Sequence, residues 1–280
     1  MALKLGLLGS NISRSKMPRL QKHLGKLQGM DIDYILLDDP RFSALSLRDQ
    51  IQKARAEGFH GLNVTHPYKQ QIYPLVSSAY MKGHERIGSY NTLLLDNDGI
   101  AGVNTDYSGF KKAYQRIRGS ETPGQVLLCG AGGVGRAVAT GLADHGCKAM
   151  LVYDIVGAQA QSLVSLLEQQ GVSASVITQD ELRDAIRTSN GLVNCTAVGM
   201  HSNTASAIDL SCIKSQQWAF DAIYTPLNTA FISQCRQAGM QCISGFDLWI
   251  SQGLDAFRIF TGMEAEADDA LFEEALSWLD

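Results

Sequence analysis

No stretch of the 280-residue sequence approaches the ~18 uninterrupted apolar residues that a membrane-spanning helix needs. No block of five or six like charges occurs, and 24 Lys plus Arg against 28 Asp plus Glu leave a formal net charge of -4. No nucleic-acid or membrane partner is therefore expected. The six cysteines, at 129, 147, 195, 212, 235 and 242, form no CxxC pair, and the six histidines are dispersed. Without zinc spacing no metal is expected, and the thiols read as reduced core residues of a cytoplasmic protein. Proline is scarce, at 6 residues, and there is no internal repeat or low-complexity tract. The opening MALKLGLLGS has an apolar run too short for a signal sequence, broken at Gly9, and predicts a first buried strand.

What is present is an ordinary globular composition, 45% hydrophobic and 19% charged, enough for one large core or two modest ones. Short Leu/Ile/Val-rich runs alternate with longer segments of helical period, the pattern of an α/β fold with helices covering a parallel sheet. Strands are predicted near 3–9, 31–37, 59–64, 91–95 and 100–103, with helices near 18–28 and 43–57. The run LLLDNDG-IAG predicts a hairpin turning at Asn97, Asp98 and Gly99. A polar linker, RIRGSETPG at 116–124, precedes a second set of strands near 125–129, 149–154, 174–178, 191–194, 218–221 and 241–243, which fits a six-stranded doubly wound sheet.

The second set opens with the run VLLCGAGGVGRAVATGLADHG. Gly130, Gly132 and Gly135 stand in G-x-G-x-x-G register between an apolar strand and an apolar-periodic helix. Such a turn, with Ala131, Gly133 and Val134 between and beside the glycines, brings a dinucleotide pyrophosphate to a helix N-terminus. Asp154 ends the next strand about 20 residues on, where a carboxylate accepts from the adenosine ribose hydroxyls and repels a 2′-phosphate. YDIVGAQAQ offers no Arg or Lys to offset that repulsion. The expected cofactor is NAD rather than NADP. The bland reading of Asp154 is a helix N-cap.

The order GSNISRSKMP, GLNVTHPYK, GSYNT, GVNTDYSGF, GAGGVG, NCTAVGM, DAIYTPLNT and SGFDLWISQG resembles the shikimate/quinate dehydrogenase family over nearly the whole chain. The resemblance implies two lobes. An N-terminal α/β substrate domain, 1–105, would be completed by C-terminal helices 246–280, and a Rossmann domain would span 106–245. It implies that Lys69 and Asp106 are the catalytic pair. Hydride transfer from or to the carbinol carbon leaves or consumes an alkoxide-like oxygen, so the site needs a proton donor and acceptor, and a Lys with a carboxylate can serve. By the same resemblance Ser15, Thr65, Asn91, Tyr224 and Gln252 hold substrate hydroxyls and carboxylate, while Thr196, Ala197, Val198, Met200 and Gly245 line the nicotinamide side of the cofactor.

Three departures qualify what the resemblance implies. Met17 replaces the second serine of the family's S-x-S-P element, and a thioether cannot donate to a carboxylate, a loss of about 1.5 to 3 kcal/mol. Arg14 is the nearest compensating charge. Tyr107 stands where the family has Gly after NTD, and Tyr153, Asp154 and Ile155 replace the Asn-Arg-Thr of NADP-using members. The expected activity is NAD-dependent oxidation or reduction of a small cyclic hydroxy acid by a monomer or homodimer. Quinate, shikimate, an aminated analogue and other cyclic polyol acids all remain open. The second reading is an NAD-binding sensor or regulatory paralogue with weak or no activity.

Overall fold

A computed structural model describes residues 2–96, 99–200, 205–214, 217–266 and 268–279. Along the chain run β1 (Leu3–Leu8), α1 (Met17–Leu27), β2 (Ile32–Leu37), α2 (Pro40–Ser43), α3 (Leu47–Ala56), β3 (Gly61–Val64), β4 (Ser78–Ala79), β5 (Thr92–Leu95) and β6 (Ile100–Val103). There follow α4 (Thr105–Arg118), β7 (Gln125–Cys129), α5 (Gly133–Asp144), β8 (Ala149–Tyr153), α6 (Gly157–Gln169), β9 (Ser173–Val176), α7 (Leu182–Thr188) and β10 (Gly191–Asn194). The last elements are β11 (Trp218–Asp221), α8 (Ala230–Gln237), β12 (Gln241–Ile243), α9 (Gly245–Thr261) and α10 (Asp269–Leu276). The chain divides into one unit of Met1–Thr105 with Gln252–Trp278 and another of Asp106–Ser251 with Leu279–Asp280. Both main boundaries fall inside helices, at the first residue of α4 and in the middle of α9.

In the first unit the sheet order is β2-β1-β3-β5-β6-β4. This sheet is mixed, and the expected hairpin forms its antiparallel part. β1 is parallel to β2 and β3, but β5 runs antiparallel to both β3 and β6. The physical reason is the short β5–β6 connection, because a tight turn can join only antiparallel neighbours. Asn97 and Asp98 of the expected turn lie outside the described residues, whereas Leu95 pairs with Ile100 across the hairpin. The helix expected over 43–57 is α3, and a separate short helix, α2, precedes it. Asp39 caps α2 by accepting from the Arg41 N–H at 2.8 Å, and Ser46 caps α3 by accepting from the Asp49 N–H at 3.2 Å. These side chains offer the backbone a competing bond, so helix stops and restarts between them. The core gathers Leu8, Leu37, Phe42, Ile51, Leu62 and Leu93.

In the second unit all neighbours in the order β12-β11-β10-β7-β8-β9 are parallel. Strand β7 shows why its run is apolar throughout. Val126 and Leu128 enter one core with Val138, Leu142, Leu163 and Leu167 of α5 and α6, while Leu127 and Cys129 enter another with Ile186, Phe231 and Ile232 of α7 and α8. A strand covered on both faces has no polar side to show. The expected linker begins later than 116, because α4 continues to Arg118. Phe110, Ala113, Tyr114 and Ile117 on one stripe of α4 carry it along the first of these cores, and Tyr114 meets Trp218 edge-on at 5.5 Å between ring centroids. Among the described residues no helix is long and apolar enough to cross a membrane.

Candidate active site

Strand order in the second unit reverses between β7 and β10, which leave the sheet's centre in opposite directions. In doubly wound sheets a crevice opens beyond the carboxyl ends of the strands at this switch point. The turn after β7 contains the expected Gly130. Its φ of +98° suits glycine, and a Cβ there would lie 2.7 Å from the Cys195 carbonyl group, which follows β10. A Cβ on Gly135 would lie 1.9 Å from the Gly130 oxygen, so the first turn of α5 can pack this closely only with glycine. Gly132 is the N-cap of α5, and no side chain caps that helix end. The positive end of the helix dipole therefore lies on the crevice side. These observations fit a pyrophosphate.

Asp154 lies just past β8. One carboxylate oxygen accepts from the Ala131 N–H at 2.7 Å and the other from the Val156 N–H at 2.8 Å. The N-cap of α6 is Val156, so Asp154 is tied to the glycine turn and also stiffens the approach to the helix. Beyond it Ile155 and Val156 are exposed, at 89% and 51%. They leave an exposed apolar patch beside this carboxylate.

The loop after β10 is ordered by a carboxyl group that the sequence reading passed over. Asp221, fully buried at the end of β11, accepts from Thr229 Oγ1 at 2.6 Å, Asn194 Nδ2 at 3.0 Å and the Ile223 N–H at 3.1 Å. Burial pushes its carboxyl up to about 6, against the pull of those donors. With its amide so oriented, Asn194 accepts through Oδ1 from both the N–H and the hydroxyl of Thr196, at 3.1 and 2.7 Å. Thr196 Oγ1 then accepts from the Val198 N–H, and the Met200 N–H bonds the Ala197 oxygen. The four residues expected here, Thr196 to Val198 and Met200, thus form one braced loop whose Met200 is 40% exposed. Gly245, at the start of α9, approaches the Ile223 carbonyl so closely that a Cβ would lie 2.3 Å away. Tyr224 stacks on Trp249 with ring centroids 5.7 Å apart, and burial raises its hydroxyl pKa, so the proton stays on.

In the first unit the expected residues collect at the ends of β1, β3 and β5. Thr65 follows β3 and donates its N–H to the Leu8 oxygen; Lys69 lies in the next turn, half-buried, with its carbonyl accepting from the Tyr90 N–H. Asn91 joins Thr105 and Gln252, donating from Nδ2 to Thr105 Oγ1 at 3.0 Å and to Gln252 Oε1 at 3.2 Å. Asp106 is buried in the first turn of α4 within the second unit, beyond the position of an N-cap. Ser15 accepts from the Met17 N–H at 3.3 Å ahead of α1. Met17 is 4% exposed, with Sδ 3.5 Å from Gln21 Nε2 and Cε near Gly253. The sequence reading missed Asn63, Thr92, Asn104 and Thr105. All four are buried polar residues inside motifs it had already quoted, and polar side chains in such positions were the available signal. Among the described residues no three His, Cys, Asp or Glu side chains gather as metal ligands.

Residues 7–93 match the shikimate dehydrogenase substrate-binding domain. The chain is 35% identical over 272 residues to a quinate/shikimate dehydrogenase (NAD(+)) of Corynebacterium efficiens, covering 95% of each. It is 33% identical to a shikimate dehydrogenase (NADP(+)) of an Arthrobacter species, covering 94% of this chain and 91% of that one. A solved structure of quinate dehydrogenase from Corynebacterium glutamicum in complex with NAD superposes with a TM-score of 0.90 at 33% identity, covering 99% of both chains. The chain belongs to the shikimate/quinate dehydrogenase family.

Proposed function

We propose that this member of the shikimate/quinate dehydrogenase family is an NAD-dependent oxidoreductase acting on a cyclic hydroxy-carboxylate of the shikimate/quinate type. The observation that carries the cofactor choice is Asp154, held by two backbone N–H groups at the glycine turn with no cation beside it in YDIVGAQAQ. Gly130, Ala131, Gly132, Gly133 and Val134 would hold the pyrophosphate, and Thr196, Ala197, Val198, Met200 and Gly245 the nicotinamide side. When bound, NAD supplies the acceptor for the hydrogen that leaves the carbinol carbon with its electron pair.

The protein's own part is to position the substrate and to move one proton. Lys69 Nζ takes the hydroxyl proton during oxidation and returns it during reduction. The Asp106 carboxylate, buried in the first turn of α4, favours the ammonium that Lys69 becomes when it takes that proton. Ser15, Thr65, Asn91, Tyr224 and Gln252 bind the ring hydroxyls and carboxylate, and Met17 narrows the carboxylate end. On this reading the first unit, with the helices after 251, serves the substrate, and the second unit serves the dinucleotide. The six free cysteines support a cytoplasmic setting. The enzyme works as a monomer or homodimer, and no nucleic acid belongs to the reading.

Retention of both Lys69 and Asp106 favours an enzyme over an NAD-binding sensor. A panel of quinate, shikimate and aminated cyclic acids with NAD and NADP, followed at the reduced-nicotinamide absorbance, tests the proposal. Turnover of quinate or shikimate with NAD is expected. Silence across the panel would remove it and restore the sensor.

A further inference from the structure

Six polar side chains of the first unit form one hydrogen-bonded line, and the direction of its central amides is fixed. The fixed point is a donor that cannot reverse. The backbone N–H of Thr105 lies 2.7 Å from Asn91 Oδ1, which decides which end of that amide is oxygen. Asn91 Nδ2 must then face the other way, where it donates to Thr105 Oγ1 and to Gln252 Oε1. The Thr105 hydroxyl also lies 3.4 Å from Gln252 Oε1. The oxygen of Gln252 is therefore turned toward protein donors. Its Nε2, on a half-buried side chain, makes no hydrogen bond among the described residues.

The far end runs in the same direction. Tyr34 is buried, which raises its pKa and keeps its proton in place, and its hydroxyl donates to Asn63 Oδ1 at 2.8 Å. Asn63 Nδ2 donates to Thr92 Oγ1 at 3.1 Å, which leaves the Thr92 proton for Asn91 Oδ1 at 3.2 Å. Tyr34, Asn63, Thr92, Asn91 and Thr105 are all under 5% exposed. Reversing Asn91 would set its Nδ2 against the Thr105 backbone N–H.

We infer that Tyr34, Asn63, Thr92 and Thr105 are positioning residues that lock the amide polarity of Asn91 and Gln252, so that Gln252 meets the substrate as a hydrogen-bond donor and selects an acceptor oxygen there. This rests on the reading above that Gln252 touches the substrate. It adds which end of the amide does so, and what imposes that choice from as far away as β2. A site that offers only N–H at one position rejects a substrate that must donate at the same position.

The test is steady-state kinetics with NAD and whichever of quinate and shikimate the wild type uses better. Gln252→Glu replaces the donor with an acceptor, so KM for the acid should rise at least thirtyfold at pH 8, with kcat within threefold and KM for NAD unchanged. As pH falls toward 5 the introduced carboxyl takes up a proton and regains a donor, and KM should fall back toward wild type. Gln252→Leu should raise KM at every pH with no such recovery. Thr92→Val should raise KM about tenfold and Thr92→Ser should recover to within threefold, because the hydroxyl and not the volume carries the line. A Gln252→Glu enzyme whose KM at pH 8 stays within threefold of wild type would overturn the inference, as would equal KM values for Thr92→Val and Thr92→Ser. If Thr92→Val fails to fold, the pH profile of Gln252→Glu decides alone. Wild-type turnover with insensitive variants defeats only this inference; a wild type that oxidises neither acid defeats the functional reading as well.

Discussion

Cofactor choice is the property most directly computable from the structure, and Asp154→Ser with Ile155→Arg is the perturbation that tests it. The Asp154 carboxylate is pinned by the Ala131 and Val156 N–H groups at 2.7 and 2.8 Å, so it cannot swing aside for a second anion. A 2′-phosphate carries about 1.5 to 2 negative charges at neutral pH. At about 5 Å from the carboxylate, water-like screening gives roughly 0.8 kcal/mol of repulsion per unit charge, and an effective dielectric of about 20 gives fourfold more. The lower bound is thus about 1.2 to 1.6 kcal/mol, close to a factor of ten in favour of NAD. The double substitution removes the carboxylate and puts a guanidinium at a position that is 89% exposed and free to turn toward a phosphate. It also takes an acceptor from two backbone N–H groups, of which a serine hydroxyl can satisfy one. Efficiency with NAD should therefore fall while efficiency with NADP rises. Measured as kcat/KM for each cofactor at saturating acid substrate, the wild type should prefer NAD at least tenfold, and the variant should narrow or invert that ratio. A wild-type enzyme that uses both cofactors within threefold would refute the reasoning.

Lys69→Ala and Asp106→Asn should each lower kcat by about a hundredfold or more while NAD still binds, the usual scale for losing a group that moves or orients the proton; an effect confined to KM would make them binding residues only. Met17→Ser should lower KM for quinate or shikimate, because a hydroxyl can donate to the carboxylate. It should also cost about 2 to 4 kcal/mol in denaturant unfolding, because the thioether is buried against Gln21 and Gly253; unchanged or higher KM would point to a pocket shaped for a less polar substrate. Asp221 titrates near 6 in the folded chain against 3.8 as the reference, so the native state binds the extra proton between about pH 4 and 6. Unfolding free energy should therefore fall by about 3 kcal/mol as pH rises through that window, and Asp221→Asn should abolish this component. Parallel pH-stability curves for the two proteins would rule the assignment out.

Much of this protein was legible before any coordinate. The apolar VLLC of β7 announced a strand under helices, and the spacing of Gly130, Gly132, Gly135 and Asp154 announced a dinucleotide turn. Both rest on local chemistry, the period of a strand and the steric demands of a glycine turn. The motifs NVTHPYK and NTDYSGF carried the family resemblance for the same reason, since short segments that bind and react keep their residues adjacent in the chain. Tertiary structure decided the rest. The antiparallel pairing of β5 with β3 depends on which neighbour a strand finds. The burial of Met17 depends on α9 returning to α1 after some 230 residues, and the high pKa of Asp221 depends on how completely the sheet and α8 close over it. The amide directions of Asn91 and Gln252 are the clearest case. A sequence names an amide but not which end faces inward, and here that is imposed by hydrogen bonds converging from residues 34, 63, 92 and 105, through distances that exist only once the chain has folded.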